Sequence, residues 1–397
     1  MAQPAEAVGV RRRIPRNGRV KYDRGVRNLS LLALFLTAIS VASAADPLVY
    51  VGTYTKNGSR GIYAFRFSSS GKLTPIGLAA ESDNPSFLAE SPNHKFLYAV
   101  NEGGRIGTVS AFSIDANSGK LTFLNKVSSG GNSPCHVAVD KTGKWVGVAN
   151  YGDGVLTIYP IEADGKLGDA STTEKHTGGS ADPNRQKGPH GHEVVFSPDN
   201  KFLLFSDLGL DKIFVYKFDA ASGKITPNDP PSGSVAPGSG VRHFAFHPNG
   251  RTVYAINEIA STVTAFHYDP AKGSLESFQA ISTLPDGFKG GNSTAEIAVD
   301  RAGKHVYGSN RGHDSIALFT VDPTKMTLTR TDDTPVMGKT PRDFVLDPTG
   351  KFLIAANQDS SDITIFRVHP TTGQLTPVGA PVKDAPVPVS VLFVGGK

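Results

Sequence analysis

The feature that most constrains the fold of this chain is a pattern that recurs about every 50 residues. Each copy contains a short apolar stretch, a turn of the Pro-Asp-Asn or Asp-Pro-Thr-Gly type, a second apolar stretch, an alternating stretch, and a last stretch after a Ser-Gly-Lys-like turn. Alternation with a period of two is typical of β-strands, and these turn residues favour tight turns. No helical period is found beyond the first 44 residues. Six complete four-strand copies begin at Ser86, Cys135, His192, Arg242, Ala295 and Arg342.

A seventh copy is divided between the two ends of the repeating region. Val387–Val394 reads as a first strand with nothing after it, whereas Leu48–Thr55, Gly61–Phe67 and Lys72–Ile76 read as second, third and fourth strands. Pairing the two ends completes this copy and removes the sheet edges that an open ring would expose. An all-β pattern with this period predicts a β-propeller. We therefore expect residues 45–397 to form an all-β, seven-bladed propeller of four-stranded blades, closed by one composite blade.

The first 44 residues have a different composition from the repeats. Eight arginine or lysine residues lie between positions 11 and 27, an apolar run follows from Leu29 to Ala42, and Ala42-Ser43-Ala44 ends it. This order is typical of a secretory signal peptide that is cleaved after Ala44, and the apolar run is short for a membrane span. The alternative is an uncleaved anchor. We predict a signal peptide over residues 1–44 and a periplasmic or secreted product that is not attached to a membrane.

Charge and cysteine content restrict the classes of partner. The net charge of +5 comes from the leader, which holds eight basic and two acidic residues and leaves the remainder with a formal charge of −1. A nearly neutral domain gives no indication of nucleic-acid binding. With Cys135 as its one cysteine, the chain forms no internal disulfide. We expect packing and ring closure to supply the stability, and the oligomeric state stays open.

Candidate site residues follow from the geometry of a propeller blade. The first strand of each blade is innermost, and its start reaches the same face of the disc as the end of the second strand. Charged and imidazole groups that converge on one mouth suit a polar small-molecule site. The alternative is that they satisfy buried strand ends, an interpretation that we assign mainly to the asparagines there. The candidates are His136, His192, Glu193, Arg242, His243, Glu296 and Arg342 at first-strand starts, and Arg311 at a second-strand end.

Two other features bear on the same face of the disc. The longest insertion, residues 169–187, carries Arg185 just before His190, and it is either a lid or a surface excursion. Cys135 and His136 are neighbours on a strand and point to opposite sides, so they are not expected to form a thiol–imidazole dyad. The His and carboxylate residues show no short metal-ligand spacing, so we expect no metal and no other cofactor.

Several stretches resemble the lactonase family of seven-bladed propellers, which includes propeller-type 6-phosphogluconolactonase and carboxymuconate cyclase. The most specific are CHVAVD, GVRHFAFHPNGRTVYAINE, AEIAVDRAGKHVYGSNRGHDSIALF and PRDFVLDPTGKFLIAANQ, and the resemblance covers residues 48–397. It implies a catalytic site at His136, Glu193 and Arg242. The leader departs from what is expected of a cytosolic sugar-phosphate enzyme, and this leaves open whether the substrate is phosphorylated.

Lactone opening requires a base for water, a cation for the oxyanion and an acid for the leaving alkoxide. Either Glu193 or His136 serves as the base and the other as the acid, with Arg242 at the oxyanion. His190, His192, His243, Glu296, Arg311 and Arg342 are then expected to bind the substrate, a small sugar or carboxylated lactone. Two alternatives stay open: a lactonising cycloisomerase, and a non-catalytic propeller that binds a sugar acid or a protein segment.

Overall fold

The computed structural model describes residues 46–103 and 106–395. In this part of the chain, 28 strands form seven antiparallel sheets of four strands each. The predicted signal peptide lies outside the described residues. Within the described ranges, no helix is both long and apolar enough to cross a membrane.

The strands are numbered along the chain. The first three are β1 (Leu48–Thr53), β2 (Gly61–Phe67) and β3 (Leu73–Glu81). Blade 1 comprises β4 (Pro85–Glu90), β5 (Phe96–Asn101), β6 (Thr108–Ile114) and β7 (Leu121–Ser128). Blade 2 comprises β8 (Pro134–Val139), β9 (Trp145–Asn150), β10 (Val155–Pro160) and β11 (Thr172–Lys175). Blade 3 comprises β12 (Gly191–Phe196), β13 (Phe202–Asp207), β14 (Lys212–Asp219) and β15 (Lys224–Ser234).

The remaining blades continue the same order. Blade 4 comprises β16 (Val241–Phe246), β17 (Thr252–Asn257), β18 (Thr262–Asp269) and β19 (Ser274–Ser282). Blade 5 comprises β20 (Ser293–Val299), β21 (His305–Arg311), β22 (Ser315–Val321) and β23 (Leu328–Pro335). Blade 6 comprises β24 (Pro341–Leu346), β25 (Phe352–Asn357), β26 (Asp362–Val368) and β27 (Leu375–Pro377). The last strand is β28 (Pro388–Phe393), and with β1 to β3 it forms blade 7.

Blade 7 closes the ring as the sequence predicts. Strand β28 pairs antiparallel with β1, and Val391 lies opposite Val51. The inner strands contact one another in sequence around the axis, and β28 packs against both β24 and β4. The predicted seven-bladed architecture and its composite blade are therefore confirmed. The outermost strand of this blade, β3, extends five residues beyond the predicted Ile76.

The edge strand of blade 2 departs from the repeat pattern. The repeat places a fourth strand directly after the turn at Asp164-Gly165-Lys166, but that turn makes only an isolated bridge between Ile161 and Leu167. Strand β10 ends at Pro160, which has no N–H to offer to a ladder. The chain pairs with β10 only further along the sequence, at Thr172–Lys175, which is β11. Four residues of the predicted insertion therefore form the edge strand of this blade.

Apolar side chains fill the spaces between blades, and a repeated tyrosine contact links one blade to the next. The hydroxyl of Tyr50 in blade 7 donates to the carbonyl of Gly119 in blade 1, and Tyr98 in blade 1 donates to Gly165 in blade 2. Tyr254 and Tyr307 make the equivalent contacts from blades 4 and 5. Because each of these four hydroxyls finds a partner in the next blade, these four blades are held at a defined rotation to their neighbours.

A bulge interrupts the start of every inner strand. In blade 2, for example, Pro134 pairs with Asn150 and His136 pairs with Ala149, so Cys135 has no residue opposite it. The same shift occurs in the other six blades. A bulge re-aims the side chains beside it. In blades 2, 3, 4 and 6, a side chain at or next to the bulge contacts the following blade, and these side chains belong to the candidate site.

Candidate functional site

The candidate site consists of two layers of side chains around the central opening. The upper layer, here called the mouth, comes from the bulge residues of the inner strands and from residues at or just after the ends of second strands. The lower layer comes from the next residue along each inner strand, one residue deeper. The mouth includes His192, Arg242, Glu258, Arg311 and Arg342, and the lower layer includes His136, Glu193, His243, Glu296 and Asp343.

Glu258 is the centre of the mouth. Its carboxylate lies 2.6 Å from Nη2 of Arg185, 2.7 Å from Nη2 of Arg311 and 3.3 Å from Nε of Arg242. Burial alone would raise the pKa of Glu258, but these three arginines outweigh it and lower the pKa to about 2. Glu258 is therefore ionised at neutral pH, and it holds three cations in place around the opening.

Two arginines at the mouth come from blades 5 and 6. Arg311 donates from Nη2 to the carbonyl of Thr294 at 2.7 Å, and burial lowers its pKa to about 10. The guanidinium carbon of Arg342 lies 5.4 Å from the ring centre of Tyr54. The hydroxyl of Tyr54 donates to Glu102 at 2.9 Å. Although burial disfavours its charge, Tyr54 and Glu102 raise the pKa of Arg342, so this cation is retained.

His136 and Glu193 form a carboxylate–imidazole pair in the lower layer. Nε2 of His136 lies 3.7 Å from Oε1 of Glu193, and both side chains are buried. The other carboxylate oxygen, Oε2, accepts the backbone N–H of Phe244 at 2.6 Å. The backbone N–H of Val194 donates to Nδ1 of His136 at 3.4 Å. Since a ring nitrogen that accepts carries no proton, the neutral imidazole of His136 bears its proton on Nε2, facing Glu193.

The lower layer contains two further carboxyl groups, those of Glu296 and Asp343, and the imidazole of His243. Nδ1 of His243 lies 2.6 Å from Oε2 of Glu296. Burial raises the pKa of Glu296 to about 7, although Arg242 acts in the opposite direction. Burial and then repulsion from Glu296 raise the pKa of Asp343 well above its usual value. Burial and then the charge of Arg242 lower the pKa of His243, so this histidine is held neutral.

Two further predicted histidines lie at the mouth. Burial, followed by the charge of Arg242, lowers the pKa of His192, whose ring centre lies 5.0 Å from that of His243. His190 stacks on Tyr151 with ring centres 4.5 Å apart, and its Nδ1 lies 2.8 Å from the Tyr151 carbonyl oxygen. The ring nitrogens of both residues are hydrogen-bonding groups, which suits them to recognise hydroxyl groups.

Cys135 does not form a nucleophile with His136. Its thiol lies 3.5 Å from the carbonyl oxygen of Gly191 and 3.9 Å from Nδ1 of His192, both in the next blade. Burial raises the pKa of the Cys135 thiol, so it stays protonated. This is the divergence of neighbouring side chains that strand alternation predicts. Within residues 46–103 and 106–395, no group of three His, Cys, Asp or Glu side chains has the geometry to hold a metal ion.

All nine residues predicted for the site lie in these two layers or at their rim. The structure places Nε of Arg242 3.3 Å from a carboxylate oxygen of Glu258. Glu258 and Glu102 were visible in the sequence directly after the asparagine that ends a second strand, the same position that indicated Arg311. Arg185 had no comparable signal, because it belongs to an insertion that no other repeat contains.

Comparisons with known proteins identify the family. Residues 48–393 match the sequence model of a family described as Lactonase, 7-bladed beta-propeller. A 6-phosphogluconolactonase from Bacillus subtilis is 40% identical over 346 residues, which cover 87% of this chain and 97% of that protein. A 6-phosphogluconolactonase from Formosa agariphila is 36% identical and aligns with 75% of this chain and 85% of its own length. The structure of the periplasmic gluconolactonase of Pseudomonas aeruginosa superposes with a TM-score of 0.83 at 32% identity, covering 88% of this chain and 99% of that one.

Proposed function

This chain belongs to the lactonase family of seven-bladed β-propellers, and from that premise we propose that it hydrolyses a sugar lactone at His136, Glu193 and Arg242. Its relatives carry the names 6-phosphogluconolactonase and gluconolactonase, so the reaction is the opening of a ring ester by water. The observation that supports the location is the 3.7 Å approach of His136 Nε2 to Glu193 Oε1 beneath a mouth lined with arginines.

Glu193 is the base in this proposal. The N–H of Phe244 fixes Oε2, which sets the plane of the carboxylate and turns Oε1 toward His136. Oε1 takes a proton from the attacking water as the water oxygen bonds to the carbonyl carbon of the lactone. A positioned base of this kind contributes about a hundredfold or more to such a step.

His136 assists the departure of the alkoxide. Its Nδ1 accepts a backbone N–H, so Nε2 carries the one proton of the neutral imidazole and faces Oε1 of Glu193. When the ring C–O bond breaks, the proton that Glu193 took from the water passes to the alkoxide, and the N–H at Nε2 donates a hydrogen bond to that oxygen. The product is an open hydroxy acid, Glu193 is again a carboxylate, and His136 keeps its proton throughout.

Arg242 stabilises the negative charge that develops on the carbonyl oxygen. Its guanidinium is held at one end by the carbonyl of Ala295, 2.7 Å from Nη1, and at Nε by Glu258. A cation that is already fixed needs no rearrangement when the oxyanion forms. Arg311, Arg342, His190, His192, His243 and Glu296 surround the remainder of the substrate.

The same proposal includes export. The basic, apolar and Ala-Ser-Ala order of residues 1–44 supports cleavage after Ala44 and release into the periplasm, and a periplasmic gluconolactonase is among the similar structures. N-terminal sequencing of protein from the native host tests this part. A product that begins near Met1 or remains with the membrane fraction contradicts it.

The activity is tested with purified protein that begins at Ala45. Glucono-1,5-lactone is added in a pH-stat, and acid release is compared with spontaneous hydrolysis in the same buffer. We expect catalysed opening with the wild type and a rate close to the uncatalysed one with His136→Ala. A wild type that does not exceed the spontaneous rate with any sugar lactone would instead support the non-catalytic alternative.

A further inference from the structure

The segment between blades 2 and 3 is a fixed strap across the mouth. We define the strap as residues 176–190. At its start, Nε2 of His176 lies 2.6 Å from the hydroxyl of Tyr216, and at its far end Nε2 of Gln186 donates to the carbonyl of Leu208 at 2.8 Å. Both strap side chains are buried. Anchors of this kind at both ends hold the segment against blade 3, unlike a lid that has to open.

The strap carries Arg185 to the rim of the mouth. Nη2 of Arg185 lies 2.6 Å from Oε1 of Glu258 and donates to the hydroxyl of Tyr151 at 3.0 Å. The Arg185 side chain is 41% exposed, compared with 13% for Arg311 and 4% for Arg242. Arg185 is therefore the arginine of these three that an entering molecule meets first.

The guanidinium of Arg185 keeps donors for a ligand. In the described part of the chain, both of its hydrogen bonds use Nη2. A guanidinium N–H makes a short, charge-assisted hydrogen bond to an oxygen of a carboxylate or of a phosphate. The N–H groups of Nη1 are thus suited to an anion that lies at the outer end of the opening.

The charge balance of the mouth favours an anion as well. The arginines are Arg185, Arg242, Arg311 and Arg342, and the carboxylates that contact them or their partners are Glu258 and Glu102. His192 and His243 are held neutral by burial and by these cations. A concave opening with an excess of positive charge concentrates anionic ligands.

We propose that Arg185 is a specificity-determining residue that binds an anionic group at the end of the substrate remote from the ring ester. The inference rests on the proposed lactonase function, because the ester is then positioned by His136 and Glu193 in the lower layer while the far end of the molecule lies at the rim. The ligand is a lactone whose exocyclic end carries a carboxylate or a phosphate.

The test compares three lactones with the same enzyme. Glucono-1,5-lactone is neutral, D-glucaro-1,4-lactone carries a carboxylate, and 6-phosphoglucono-1,5-lactone carries a phosphate. Arg185→Gln should lower kcat/KM about tenfold or more for whichever acidic lactone is used, and should change it less than about twofold for the neutral one. Arg185→Lys should recover part of the loss, since it restores the charge without the planar guanidinium. The two acidic substrates together show whether a carboxylate or a phosphate is preferred.

Lys187→Gln is the matched control, since it removes the same charge from an exposed position on the same strap. It should leave all three substrates unaffected. If Arg185→Gln reduces all three rates equally, Arg185 acts only through Glu258 and the proposal is wrong. If it reduces none, the proposal is wrong as well.

A binding measurement separates this inference from the proposed function. Calorimetric titration with glucarate and gluconate, the corresponding open acids, repeats the comparison without turnover. If Arg185→Gln binds glucarate more weakly than the wild type does, but binds gluconate equally well, the specificity role is supported. If the wild type and the variant bind both acids with equal affinity, the specificity role is overturned. If the wild type has no lactonase activity, the proposed function is wrong. The affinities for glucarate and gluconate then decide by themselves whether Arg185 recognises an anionic group.

Discussion

Nε2 of His136 lies 3.7 Å from Oε1 of Glu193, although the two residues come from the inner strands of different blades. Each is tied to the neighbouring blade through a backbone N–H, from Val194 to His136 and from Phe244 to Glu193. The bulge at the start of each inner strand allows these side chains to reach across. The pair is therefore assembled by three successive blades, and its geometry depends on how these blades pack against one another.

Glu258→Gln should destabilise the protein by about 3 to 5 kcal/mol, because a buried carboxylate that balances several arginines is removed. Denaturant unfolding at neutral pH measures this difference. Glu276→Gln, at an exposed position on β19, is the control and should unfold like the wild type. A Glu258→Gln protein as stable as that control would show that the arginines do not depend on this carboxylate.

The pH dependence of protein stability should show separately that ionised Glu258 stabilises the folded state. Its pKa is lowered from 4.5 to about 2 in the folded protein, so the folded state binds the proton less readily than the unfolded chain. The stabilisation is then complete above about pH 4.5 and is lost as the pH falls toward 2. We expect the difference in melting temperature between wild type and Glu258→Gln to narrow over this range. A difference that is constant with pH contradicts this assignment.

Cys135→Ser should leave lactonase activity within about twofold of the wild type. Burial keeps the Cys135 thiol protonated, and the thiol faces His192 of the next blade. In the wild type, the thiol should react with Ellman's reagent only after denaturation. Rapid labelling of the folded protein, or inactivation of the enzyme by that labelling, would indicate an accessible thiol with a role in the reaction.

The blade count and the position of the mouth were predictable because both follow from local patterns. Alternating apolar residues and turn residues recur in each copy, and the incomplete ends complete a blade if Val387–Val394 pairs with Leu48–Thr55, as β28 and β1 do. The start of the inner strand is also readable in blades 2 to 6, since charged or imidazole residues there interrupt an apolar stretch. Because propeller geometry brings these positions together, the mouth can be located without knowledge of the side-chain contacts.

The pairings within the site were not predictable. The partner of Arg242 depends on how the bulge turns its side chain, and no periodicity records that direction. Strand β11 was missed because Thr172 to Lys175 is a polar edge segment whose exposed side chains give no apolar alternation. Arg185 reaches the mouth only because His176 and Gln186 anchor the strap, and these contacts join residues that are distant in sequence.

Removal of residues 387–397 should cause aggregation or a large loss of thermal stability. The deletion takes away β28, so β1 loses its ladder partner and Val49 and Val51 lose apolar neighbours. Calorimetry and size-exclusion chromatography measure the effect. Deletion of residues 396–397 alone, which leaves β28 complete, is the control. If the longer deletion melts at the same temperature as the control, blade 7 does not hold the ring closed.

The kcat of Glu193→Gln tests the central claim most directly, because the amide keeps the shape and can still accept the Phe244 N–H while it loses the ability to accept a proton. With glucono-1,5-lactone we predict a fall in kcat of about a hundredfold or more and an unchanged melting temperature. Glu296→Gln, which changes the other glutamate of the lower layer, should act mainly on KM. A Glu193→Gln enzyme that retains the full kcat, together with a large loss in Glu296→Gln, would contradict the account and move the base to Glu296.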